Sequence, residues 1–191
     1  MNIAPDTIIA LDLEMNQPIA GTKEAKTPII QIGAVSGNYK TGQILGEFCE
    51  FVNPVDTLNP EIITLTGIQQ TDVDSAKSLT EVYHQLCHWL GPFKGRRLLN
   101  PLTWGGGDSE LLRSQLGDEA MLWPFGRRWF DAKTVFQTWR IANDEPLQGG
   151  LAKSMTKLGL NFSGQKHSAV DDARNTFRIY CALMDKLKDR P

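Results

Sequence analysis

The chain has 191 residues, 41% of them hydrophobic and 22% charged, with a formal net charge of −2. That length suits one domain with a core large enough to need neither disulfides nor structural metals, and no apolar stretch approaches the ~20 residues of a bilayer-spanning helix. The weak negative charge excludes a broad electrostatic coating of nucleic acid but leaves room for a local cleft. Residues 1–6 lack the basic and apolar segments of a secretory signal. Cys49, Cys87 and Cys181 are odd in number and sit among apolar neighbours, so they read as reduced core thiols in a cytosolic setting rather than a zinc site.

The first element is an apolar run over 8–15, the length of a strand buried on both faces, and it carries Asp12 and Glu14. Side chains two apart on a strand point the same way, so the two acids share a face. Ionised carboxylates buried together cost several kcal/mol each unless a cation or a donor network neutralises them. Either a divalent metal sits there or the strand ends where both acids reach water. A polar loop over 16–27 follows, then strand candidates over 28–35 and 46–52 joined by the turn residues of 37–42, which together predict an antiparallel meander. A short helix over 61–65 stops at Gly67, and the three-and-four apolar spacing over 78–90 predicts a longer one. His84 and His88, one turn apart on that helix, have no acid or cysteine partner in the sequence and read as partly exposed rather than as metal ligands.

A further strand is expected over 97–104, broken by Gly105-Gly106-Gly107 before Asp108 opens a helix over 109–116. A fifth strand at 129–131 leads into a helix over 134–141, then a loop over 143–150, a short helix over 151–158 and a last helix over 168–188. A meander followed by alternating helices and strands implies a mixed α/β sheet with helices on both faces. The last helix separates its own acids: Asp172 falls at the edge of the apolar arc with Thr176, Ile179 and Leu183, whereas Asp171 points among Arg174, Arg178 and Asp185. Asp171 is thus expected to be solvated, paired with Arg174 and capping the helix with Ser168. Asp172, buried, needs a partner, and the cation that Asp12 and Glu14 call for would serve. His167 lies just outside the first turn, where a capping role and a catalytic one are both open.

Together these residues resemble the DEDD superfamily of 3′-to-5′ exonucleases, in the branch whose third motif carries histidine and in its Eri-type subgroup. Asp12-Leu13-Glu14 is similar to the first motif and Ile30-Gln31-Ile32-Gly33-Ala34-Val35 to the second strand. Thr66-Gly67-Ile68 is similar to the segment beside the substrate's 3′ end, Thr103-Trp104-Gly105 with Asp108 to the second motif, and His167 with Asp172 to the third. The resemblance spans nearly the whole chain, with departures at Met15-Asn16 and in the triple glycine. It implies an RNase H-like mixed five-stranded sheet in a single exonuclease domain over 1–191. Asp12, Glu14, Asp108 and Asp172 would hold two Mg²⁺ or Mn²⁺ ions, and His167 would act as general base to release nucleoside 5′-monophosphates from single-stranded 3′ ends of RNA or DNA.

Substrate contacts are expected at Met15, Thr66, Trp104 and Lys166, with Lys153 or Lys157 as further phosphate partners. Trp104 can either stack on the terminal base or cap the sheet as a core residue. Asn100 and Asp131 read as structural. The rival readings are a catalytically silent binding module on the same fold and an RNase H-like endonuclease. The expected setting is cytoplasmic, with no membrane contact.

Overall fold

The computed structural model describes residues 6–17, 27–93, 99–147 and 149–188. Part of the predicted 16–27 loop, the start of the strand expected over 97–104, and residues 1–5 of the segment read for a leader lie outside them. Among the described residues, β1 (Thr7–Met15), β2 (Ile29–Asn38), β3 (Gln43–Phe51), β4 (Leu102–Thr103) and β5 (Phe130–Asp131) form one sheet in the order β3-β2-β1-β4-β5. β1, β2 and β3 pair antiparallel, and β4 and β5 add parallel to β1, giving the mixed sheet of an RNase H-like fold.

The apolar run of β1 is central because both its faces are covered. Ile9, Leu11 and Leu13 pack against Val82 and Leu86 of α3 (Leu79–Leu90) and Leu112 and Leu116 of α4 (Asp108–Leu116). Ile8 and Ala10 point the other way, onto Ala173 and Phe177 of α7 (Ala169–Lys188) and Ala132 of α5 (Ala132–Ile141). By strand alternation Asp12 and Glu14 share that second face with α7. Two glycines of β2 let the helix settle there. A Cβ at Gly33 would stand 2.1 Å from the backbone of Ala169 and Val170, and one at Gly37 would stand 2.3 Å from the ring of Phe177. Gly33 lies opposite Asp12 in the ladder, so the start of α7 is brought directly over the acid-bearing end of β1.

α1 (Pro60–Thr66) and α2 (Gln70–Asp74) close one end of the sheet through Ile30, Leu58, Ile62, Ile68 and Val73. α6 (Leu151–Lys157) packs Met155 against Ile179 and Leu183 of α7. One element was not foreseen and three expectations are corrected. α2 has no apolar period to betray it and is started by Asp72, whose side chain accepts from the Gln69 N–H at 2.8 Å. β4 is only two residues long, because Pro101 lacks an N–H and Leu99 bridges instead to Phe125. Asn100, placed on that strand by the sequence, lies outside it, with its side-chain oxygen filling the space a Cβ on Gly126 would need. Cys49 is exposed rather than core, since β3 is an edge strand that turns Phe48 inward and its neighbours outward.

Candidate active site

The site is built from four segments. β1 carries Asp12 and Glu14; its register shifts between Glu14 and Met15, a bulge directly after the second acid, and pairing resumes at Met15 with Ile29. Asp108 is the first residue of α4, delivered by Gly105 and Gly107, whose φ values of 100° and 112° suit glycine alone. Asp172 lies in the first turn of α7, and His167 precedes that helix at a φ of 62°. Ligand atoms of Glu14, His167 and Asp172 all lie within 4.8 Å of one another. Asp12 sits beside them, near enough for Asp108, Glu14 and Asp172 each to raise its pKa.

The electrostatics of this pocket are those of unneutralised acids. Burial first, and neighbouring carboxylates second, hold Asp12 well above the usual carboxylate range. Burial with Asp172 and Asp108 pushes Glu14 up to about 7. Burial and Glu110 push Asp108 up to about 7, and burial raises Asp172 to about 6 against the opposing pull of the His167 N–H. Among the described residues no lysine or arginine pairs with any of the four. Glu14 and Asp172 offer hard oxygen donors within 4.8 Å of each other and of His167, with Asp12 and Asp108 close enough to perturb them, a donor set that suits a hard divalent ion, so the residues fit the metal the resemblance implies.

The neighbouring polar groups hold these segments in place. Gln31, 4% exposed and opposite Glu14 in the ladder, accepts from the Ala169 N–H at 2.9 Å and so caps the first turn of α7. Asn175, fully buried, exchanges hydrogen bonds with the Ser163 N–H and carbonyl at 3.1 and 2.8 Å, tying α7 to the loop before it. The sequence assigned neither residue a role. An amide inside the apolar run of β2, on the same face as the acids, was the available signal for Gln31.

Asp171 corrects the helical-wheel expectation. It does pair with Arg174, which also grips Glu47 through two bonds of 2.7 and 2.9 Å. It is not solvated, however: its side chain is 16% exposed, and it accepts from the Gln165 N–H at 2.9 Å over the bare Cα of Gly164. The loop from Ser163 folds back over the helix start and takes the carboxylate that Ser168 was expected to share.

Thr66 was expected to meet the terminal sugar through its backbone or its hydroxyl. The hydroxyl, 3% exposed, donates to the Ile62 carbonyl at 2.8 Å and accepts from the Ile68 N–H at 3.1 Å, so it is engaged within α1 and its turn. Its carbonyl accepts from the Gln165 side chain at 2.7 Å. Trp104 packs its ring 6.0 Å from that of Phe136, the contact of a partly buried core residue. Met15 is partly buried at the strand end, and Lys166 and Lys153 are exposed. Lys157 is held by Glu145 at 2.8 Å. Asp131 caps α5 through the Lys133 and Thr134 N–H groups and accepts from the Gly105 N–H at 3.0 Å, a structural part as expected. His84 finds Glu119 at 3.4 Å on the surface, away from the acids. Beside Asp108 a cleft of about 460 Å³ opens between the glycine run, Arg127 and Trp129.

The exonuclease family model RNase_T matches residues 9–96. The chain is 27% identical to the 3′-5′ exonuclease Snipper of Drosophila melanogaster over 200 residues, covering 93% of this chain and 69% of that one. It is 28% identical over 192 residues to human ERI1 exoribonuclease 2, covering 90% of this chain but 27% of that protein. Its fold is similar to the nuclease domain of 3′hExo, a DEDDh family member solved with bound rAMP, at a TM-score of 0.80 and 25% identity over 97% of this chain and 95% of that one.

Proposed function

We propose that the chain is an Eri-type DEDDh 3′-to-5′ exonuclease domain, similar to the relatives above, that removes nucleotides from single-stranded 3′ ends of RNA, and of DNA in the same extended form. The exoribonuclease name of the ERI1 relative and the rAMP in 3′hExo favour RNA as the natural polymer. The whole of residues 1–191 serves as one nuclease domain in this reading, acting in the reducing cytoplasm where Cys49, Cys87 and Cys181 persist as thiols. Among the described residues no helix is long and apolar enough to cross a membrane.

DEDD-type exonucleases use divalent metals, and Asp12, Glu14, Asp108 and Asp172 would hold two Mg²⁺ or Mn²⁺ ions here. When bound, such ions lower the pKa of the attacking water and stabilise the charge developing on the leaving 3′ oxygen. His167 takes the water's proton, the general-base role an imidazole nitrogen can fill. Its exposure lets the proton pass on to solvent, while Asp172, accepting from its backbone N–H at 3.2 Å, fixes where the ring begins. The product is a nucleoside 5′-monophosphate. Met15, next to Glu14 in sequence, and exposed Lys166, next to His167, are the contacts proposed for the strand, with part of the Trp104 ring left for the terminal base.

One observation carries this reading: Glu14, His167 and Asp172, from both ends of the chain, converge within 4.8 Å beside two further unpaired acids. Incubation with 3′-labelled and 5′-labelled oligonucleotides, in Mg²⁺ or EDTA, tests it. Mononucleotide release from the 3′ end in Mg²⁺ alone is expected. Internal cuts would make the chain an endonuclease, and inertness in both conditions a binding module.

A further inference from the structure

His167 is a non-glycine residue in the left-handed region, with a φ of 62°, a conformation that costs about 1 kcal/mol or more and persists only where the surroundings impose it. It sits on an exposed loop, between Gly164 with a φ of 86° and the start of α7. Two of the loop's restraints come from α7 itself: the Gln165 N–H donates to Asp171 at 2.9 Å, and the His167 N–H donates to Asp172 at 3.2 Å. Both act on the backbone from one side.

A third restraint comes from a distant segment, the end of α1. The Gln165 side chain donates through Nε2 to the Thr66 carbonyl at 2.7 Å, joining positions 99 residues apart in sequence. Thr66 is the last residue of α1, and the helix stops at Gly67 with a φ of 77°. A Cβ on Gly67 would stand 2.7 Å from that same Nε2, so the missing side chain is the seat in which the amide rests. Thr66 is itself immobilised by the Ile62 and Ile68 hydrogen bonds of its hydroxyl, making it a rigid anchor. An exposed glutamine gains little from such a bond in stability alone, because water competes for both partners.

We infer that Gln165 is a positioning residue for the reaction, a latch that ties the His167 loop to the Thr66-Gly67 turn and holds His167 where a proton can be taken. The inference rests on the nuclease reading above. Gln165 touches neither the reacting atoms nor the acids, so its removal should leave strand binding intact and slow the step that follows. Displacing a catalytic group by about 1 Å costs on the order of 10²-fold.

The test compares wild type, Gln165→Met, which keeps the length without a donor, Gln165→Arg, which restores one, Gly67→Ala and the double variant Gln165→Met/Gly67→Ala. Steady-state kinetics on a single-stranded oligoribonucleotide in Mg²⁺ and thermal midpoints are measured for each. Gln165→Met should lower kcat about 10- to 100-fold with KM within twofold and an unchanged midpoint, and Gln165→Arg should recover most of the loss. Gly67→Ala should lower kcat comparably, and the double variant should be no slower than the worse single one, since both act through one contact. An inactive wild type would sink the nuclease reading itself. An active wild type with Gln165→Met at full kcat, or a loss carried by KM, or losses that multiply in the double variant, would overturn the latch alone.

Discussion

The two halves of the site are supported in opposite ways. Asp12 and Glu14 lie in the central strand, laddered to β2 on one side and pressed by α7 on the face they share. Asp108 hangs at the end of a two-residue strand, behind three glycines around which a Cβ would meet nothing within 4 Å. A glycine therefore means different things in the two places. Gly33 is an absent side chain that a helix fills; the 105–107 run is backbone freedom next to open space. The β1–α7 half should tolerate almost no change, and the β4–α4 half considerable change.

The sharpest break in that comparison is Gly33→Ala. Its Cβ would meet backbone rather than a flexible side chain, so α7 must lift from the sheet, carrying Asp172 and His167 with it. A loss of about 3 kcal/mol or more is expected in denaturant melts, with activity falling in parallel. Asp172→Asn separates chemistry from folding. Activity should fall beyond the ~10- to 100-fold typical of residues behind a metal's direct ligands, while the thermal midpoint holds or rises because a repelling charge is gone.

The shared acids also set a pH dependence. Their folded pKa values are raised, to about 7 for Glu14 and Asp108 and about 6 for Asp172, so the folded protein binds protons more tightly than the unfolded chain. Their contribution to stability is full below the unfolded values near 4 and is lost as pH rises through 6 to 7. Thermal melts in EDTA should show that decline, and Mg²⁺ should raise the midpoint more at pH 8 than at pH 5. A Mg²⁺ effect independent of pH would mean the ion binds elsewhere. Asp171→Asn should cost about 1–2 kcal/mol and roughly tenfold in kcat, through Arg174 and the Gln165 N–H rather than through metal binding. Gly106→Ser, in open space at an ordinary φ, should change stability by less than about 0.5 kcal/mol, and a larger loss would remove the contrast between the halves.

The same contrast explains what was legible in the sequence. The alternation that puts Asp12 and Glu14 on one face is a property of β1 alone, and the meander followed from turn residues between apolar runs. Gly33 and Gln31 matter because of a helix that starts far along the chain; the amide inside the apolar run of β2 marks position 31 as unusual, but nothing local in β2 says which helix arrives there. Asp171 was misplaced for a related reason: a helical wheel describes a helix's own residues, not the loop that folds back onto its first turn. Thr66 looked available as a motif residue, yet the end of a short helix consumes its hydroxyl in capping its own backbone. Asp108 was legible as a helix start after glycines, whereas β4 was overread because Pro101 cuts the ladder.

The central claim is that carboxylates from three distant segments cage divalent metal. Crystals soaked in Mn²⁺ and measured at the manganese absorption edge address it directly. Two anomalous peaks among Asp12, Glu14, Asp108 and Asp172, reduced or lost in the Asp172→Asn protein, are the predicted result. Manganese absent from that pocket, or undisturbed there by the substitution, would contradict it.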